Sequence, residues 1–109
     1  MNVKLGLTLF DGPFPLNTWI PAREAGVYAI LAPAGGDGRA LAPIHIGHSQ
    51  DLSECGFPLR HEMYPRWLDQ VASGAQLFVG VLPMPKSSPQ ERDIMAEELV
   101  LVHRPVCND

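Results

Sequence analysis

Three kinds of side chain able to do acid–base or anion chemistry gather in the first two-thirds of this sequence: Tyr28, the histidines His45, His48 and His61, and the arginines Arg60 and Arg66. Histidine has an ordinary pKa near neutrality and suits proton transfer. The two arginines with the three histidines would form the one basic patch on an acidic chain, and such a patch fits phosphate. His45-x-x-His48 has the short paired spacing of a zinc site, with Cys55 and His61 as further ligands, but a structural zinc site favours two such pairs and only one is present. Asp93, Glu97 and Glu98 read first as the solvated face of a helix. Gly35-Gly36-Asp37-Gly38 lacks the Lys-Ser/Thr ending of a phosphate-binding loop, and no Ser-His-Asp set has local context to support it.

These residues need elements to hold them. Val3, Leu5, Leu7 and Leu9 alternate with more polar neighbours and predict one strand that Asp11-Gly12-Pro13 ends. Gly26 to Ala32 predicts a second strand and Pro43 to Gly47 a third, joined across the glycine-rich stretch as an antiparallel hairpin. Strict alternation about His45 would turn its ring away from the face of Ile44 and Ile46. Ser49 to Glu54 reads as a helical turn capped by Ser49. Arg60 to Ala72 reads as a helix with Pro65 in its first turn or at a kink, and Gln76 to Leu82 as another strand. Ser88-Pro89-Gln90-Glu91 is a capping box with proline at the first helical position, so a helix starts there. Met95, Leu99 and Val102 fall on one face of it, and Pro105 forces the exit. Trp19 and Trp67 read as packed or half-buried residues.

Length and composition set the frame. The 109 residues hold one domain, with 46% apolar and 18% charged residues, which excludes a disordered chain. Cys55 and Cys107 lie far apart and form no CxxC pair, the usage of a reducing compartment. No basic leader followed by an apolar run opens the chain, and no stretch nears the roughly 20 apolar residues of a membrane span. A cytoplasmic location without membrane partners is the expectation. The net charge of −4 weighs against broad, nonspecific nucleic-acid binding.

Taken in order, Gly26-Val27-Tyr28, then His45-Ile46-Gly47-His48-Ser49-Gln50-Asp51-Leu52, then Pro105-Val106-Cys107-Asn108 behind an apolar helix, resemble the GIY-YIG nuclease superfamily over residues 26–108. Residues 1–25 form an N-terminal extension with an extra strand. The resemblance implies an α/β (α+β) fold: a small antiparallel sheet of about three core strands plus the N-terminal strand, flanked by helices. It implies phosphodiester hydrolysis, which needs an activated water, charge stabilisation at phosphorus and a divalent metal. On that pattern Tyr28 and His45, the latter in place of the second motif tyrosine, handle the water. Arg60 faces the phosphate, with Arg66 second to it, and His61 matches a frequent downstream histidine. His48, Arg66 and Asn108 contact nucleic acid, DNA ahead of RNA. Glu97 holds Mg²⁺ or Mn²⁺. The family's spacing back from Asn108 falls on Ala96, one residue before Glu97. The alternative is a binding module on the same scaffold that recognises a protein or nucleic-acid partner without catalysis or cofactor.

Overall fold

A computed structural model describes residues 2–34, 40–54 and 57–108 of the chain. The fold is α+β. Five antiparallel strands, β1 (Asn2–Leu5), β2 (Thr8–Pro15), β3 (Gly26–Ala34), β4 (Ala40–Ser49) and β5 (Phe78–Pro83), lie in the order β1-β2-β5-β3-β4. Two helices, α1 (Tyr64–Leu68) and α2 (Pro89–His103), and a short 3-10 turn at Gly74–Gln76 accompany them. Among the described residues no helix is long and apolar enough to cross a membrane.

The strand count differs from the expectation because the first apolar run is two strands. The chain turns at Gly6–Leu7, and β2 pairs back on β1 with Leu5 opposite Thr8. Asp11-Gly12-Pro13 does not end the second of these. The register with β5 slips between Asp11 and Phe14, and Gly12 sits there at φ +116°. A Cβ at Gly12 would stand 2.8 Å from the Val79 carbonyl oxygen, so only glycine lets the backbones approach. A bulge thus carries the strand past a sequence that reads as a stop. The glycine-rich stretch between β3 and β4 falls outside the described residues, as does Cys55; β3 and β4 pair antiparallel as expected.

Helical expectations divide by the strength of their caps. The capping box of α2 is formed: the Ser88 hydroxyl accepts from the Glu91 N–H at 3.1 Å, and the Glu91 carboxylate accepts from the Ser88 N–H at 2.8 Å. Ser49 to Glu54 is no helix. Ser49 ends β4, and its hydroxyl accepts from the Asp51 N–H and donates to the Asp51 carbonyl, a local turn that competes with helix. The predicted 60–72 helix shrinks to α1, with Pro65 in its first turn. On α2 the buried stripe is Arg92, Ala96 and Leu99, while Val102 is 71% exposed. Arg92 is buried because its guanidinium donates to the Ser87 carbonyl at 2.7 Å and the Ser87 hydroxyl at 2.9 Å, fastening the β5–α2 loop.

Two apolar layers sandwich the sheet. On one face Val27, Ala29, Leu31 and Ile46 pack against Ala96 and Leu99 of α2. On the other, Tyr28, Ile30, Val79 and Val81 pack with Leu16, Leu52, Leu77 and Trp67 of α1. Alternation along β3 assigns Tyr28 to the α1 face and its neighbours Val27 and Ala29 to the α2 face.

Candidate functional site

Tyr28 stands in the middle of β3, opposite Gly47 of β4, and Ile30 stands opposite His45. Between Ile30 and Leu31 the register slips, so that Leu31 faces Pro43 and β4 carries one extra residue at Ile44. The register is regular from Gly26–Ser49 to Ile30–His45, so His45 lies on the Tyr28 face by ordinary alternation with Ile46, and the bulge turns Ile44 to that same face. Ile44 packs in the Tyr28 layer, and the His45 ring lies nearly parallel to Tyr28, 6.0 Å between centroids and 16° between planes. Tyr28 and His45 therefore share a face.

His61, on the turn before α1, completes the group. Its Nε2 lies 3.1 Å from the Tyr28 hydroxyl, and its Nδ1 accepts the Met63 N–H at 3.0 Å. A backbone amide can only donate, so the proton of neutral His61 sits on Nε2 and is donated to the Tyr28 oxygen. Trp67, wholly buried, supports both imidazoles, 5.0 Å from His61 and 5.2 Å from His45 between centroids. Phe57 closes the far side of Tyr28 at 4.8 Å. Gly47 leaves space for the tyrosine: a Cβ there would meet its hydroxyl oxygen at 2.5 Å.

The C-terminal residues hold the open edge of β4. The Cys107 N–H donates to the Ile44 carbonyl at 2.8 Å. The Asn108 side chain accepts the Ile46 N–H at 2.7 Å and donates to the Ile46 carbonyl at 2.8 Å, as a further strand would. In the same segment the Cys107 carbonyl lies 3.3 Å from His45 Nδ1. A carbonyl only accepts, so the His45 proton is on Nδ1 and Nε2 keeps its lone pair. Asn108, expected at nucleic acid, has both ends of its amide engaged with the sheet.

Burial sets the protonation of the group. His45 is pulled down to about 4, first by burial, against the opposing effect of its bond to the Cys107 carbonyl, and with His61 and Arg66 adding to the fall. Burial also lowers His61 and pushes the Tyr28 phenol up. At neutral pH the cluster is a protonated phenol and two neutral imidazoles. Arg66 adds the last and smallest part of the fall in His45, so of the two arginines it is the one whose charge reaches the group. Arg60 lies exposed on the turn before α1.

This cluster has a consequence for stability. A His45 that resists protonation down to about 4 in the folded chain, against an ordinary 6.5 unfolded, makes the unfolded state bind more protons between those values. Stability is expected to be full above about pH 6.5 and to fall as the pH drops toward 4, with His61 acting in the same direction. Chemical denaturation of wild type and His45→Gln at pH 7.5, 5.5 and 4.5 checks it. The variant should lose less over that range, and an equal loss would refute the assignment.

The other expected residues lie elsewhere. His48 stands opposite Val27, hence on the α2 face, with its Nε2 3.5 Å from Asp93. Glu97, exposed one turn on from Asp93, lines with them a depression of about 510 Å³ floored by Ile46, Gly47 and Ala96. Tyr28, His45 and His61 are thus brought together with Arg66 in range, while Glu97 rides a helix packed on the opposite face. Among the described residues no three His, Cys, Asp or Glu side chains converge as a metal would require. Glu97 and its neighbours do not fit a divalent metal beside Tyr28. Trp67, expected as a packed residue, is wholly buried and joins the cluster as its support, and its Nε1 is buried without a hydrogen-bond partner.

No family model, no curated protein and no solved structure matches the chain. The geometry alone carries the functional reading.

Proposed function

We propose that this chain is a binding module on a GIY-YIG-like scaffold, one that recognises a protein or nucleic-acid partner without hydrolysing it. The observation that carries this reading is the division of the nuclease set between two faces of the sheet, with Tyr28, His45 and His61 on the α1 side and Glu97 on α2. The chemistry of the tyrosine supports it. A phenol that burial holds protonated, with its oxygen already accepting from His61, is a hydrogen-bond donor and not a base. Asn108 and Cys107 are spent on the edge of β4.

A second reading, an endonuclease of the same superfamily, is favoured by one observation: His45, though buried, is a neutral imidazole with its lone pair on Nε2, beside Tyr28 and within reach of the Arg66 charge. Incubating the protein with supercoiled plasmid and with a single-stranded RNA pool, with Mg²⁺ or Mn²⁺, separates the two. The module reading expects both substrates to stay intact. Cleavage lost in both Tyr28→Phe and Glu97→Ala would replace it with the nuclease.

A further inference from the structure

A second concavity opens beyond Phe57, and none of the residues discussed as chemistry-bearing contributes to it. It has a volume of about 260 Å³. Its floor is apolar and buried, formed by Leu52 and Val81. Two aromatic side chains, Phe14 and Trp19, stand in its walls, and Trp19 is steadied by an edge-to-face contact with Phe57, 6.0 Å between centroids. Two carboxylates complete the lining: Asp11 from β2, which pairs with Val81, and Glu24 from the segment before β3.

The charge of this concavity is one-sided. No lysine, arginine or histidine lines it, and among the described residues neither Asp11 nor Glu24 forms an ion pair. The adjacent Arg23 is exposed and outside the lining. The carboxylates are less buried than the floor, since Asp11 is exposed and Glu24 half-buried while Leu52 and Val81 are 1% and 6% exposed. Apolar surface below and negative charge above select a ligand with the complementary halves. Aromatic rings beside the carboxylates add attraction for a cation and none for a neutral isostere. The volume lies below the roughly 300 Å³ at which drug-sized pockets begin, and so suits a body the size of one side chain.

We propose that this concavity is a binding site for a small amphipathic amine, an aliphatic or aromatic body that rests on Leu52 and Val81 while its ammonium meets Asp11 and Glu24 beside Trp19. The inference rests on the concavity alone and stands apart from the module reading.

The test is a titration of the ¹⁵N-labelled full chain with 2-phenylethylamine at low ionic strength, beside the uncharged isostere 2-phenylethanol. The chain has two tryptophans, so the spectrum holds two indole signals. Trp19 reports on the concavity, and Trp67, buried against the two imidazoles, is the internal control. Saturable movement of the Trp19 signal with the amine, at least roughly tenfold weaker with the alcohol and in the Asp11→Asn/Glu24→Gln variant, is the expected result. Both substitutions keep the shape of the side chain, and the spectrum itself verifies that the variant is folded. Equal response to amine and alcohol, an unchanged affinity in the variant, or no saturable movement of Trp19 would overturn the proposal. Plasmid cleavage by the wild type would remove the module reading and leave this result untouched.

Discussion

Replacing Trp67 with alanine is expected to cost about 3–5 kcal/mol of folding stability, the range for emptying a large buried aromatic site. Trp67 is fully buried and packs against three rings, His45, His61 and Tyr64, at 5.0 to 6.1 Å between centroids. Its neighbours sit on different elements, a bulged strand, a turn and α1 itself, so they will not collapse readily into the space. Trp67→Phe should cost far less. It keeps most of the apolar contact and removes an indole N–H that has no partner. Denaturant unfolding of the two variants tests the account: similar losses for alanine and phenylalanine would mean that the indole is held by something other than packing. The alanine variant should also let water reach both imidazoles, so that His45 titrates closer to its ordinary value.

Gly47→Ala is expected to cost about 1–3 kcal/mol through overpacking, with an effect centred on Tyr28. The new methyl carbon would stand 2.5 Å from the Tyr28 hydroxyl oxygen and 2.7 Å from Cζ, inside any tolerable contact. The ring has to leave, and its bond to His61 leaves with it. A double-mutant cycle with Tyr28→Val isolates this cause, because once the ring is absent the extra methyl has room. The penalty should shrink sharply in the valine background. A penalty of the same size in both backgrounds would place the strain in the β4 backbone instead.

The elements with local signals were legible in the sequence, and those fixed by pairing were not. The start of α2 is written into four residues, Ser88 to Glu91, and forms as read. The hairpin of β3 and β4 follows from two apolar runs rich in β-formers. By contrast, β1 and β2 merge in the sequence because leucines at 5, 7 and 9 keep the two-residue period straight through a turn. The insertion of β5 between β2 and β3 depends on long-range pairing that no local pattern encodes. Val102 fits the helical period as well as Ala96 does. Which stripe of α2 is buried is decided by the shape of the β3–β4 face, where small Ala96 and Leu99 fit.

The site shows the same division. Tyr28 and His61 were named through the resemblance, and they meet. His45 shares their face by ordinary alternation with Ile46, while the bulge at Ile44, for which Pro43 inside a strand was the one available signal, brings Ile44 to the same side. Trp67 was set aside as core, and it is core, yet it is also the surface on which both imidazoles rest. Arg66 lies within α1 and its charge reaches His45, while Arg60 lies on the turn before α1, a boundary that a longer predicted helix conceals. Glu97 was placed by counting residues along a helix, and the count carries no information about which face of the sheet that helix covers.

The central claim is that Tyr28, His45 and His61 form a neutral cluster whose protons are fixed by their partners. Long-range ¹H–¹⁵N spectra of the histidine rings, followed from pH 7.5 to 4, test it most directly. The account predicts His45 neutral at pH 7 with its proton on Nδ1 and a midpoint near 4, and His61 neutral with its proton on Nε2. A His45 that is an imidazolium at pH 7, or that carries its proton on Nε2, would contradict it.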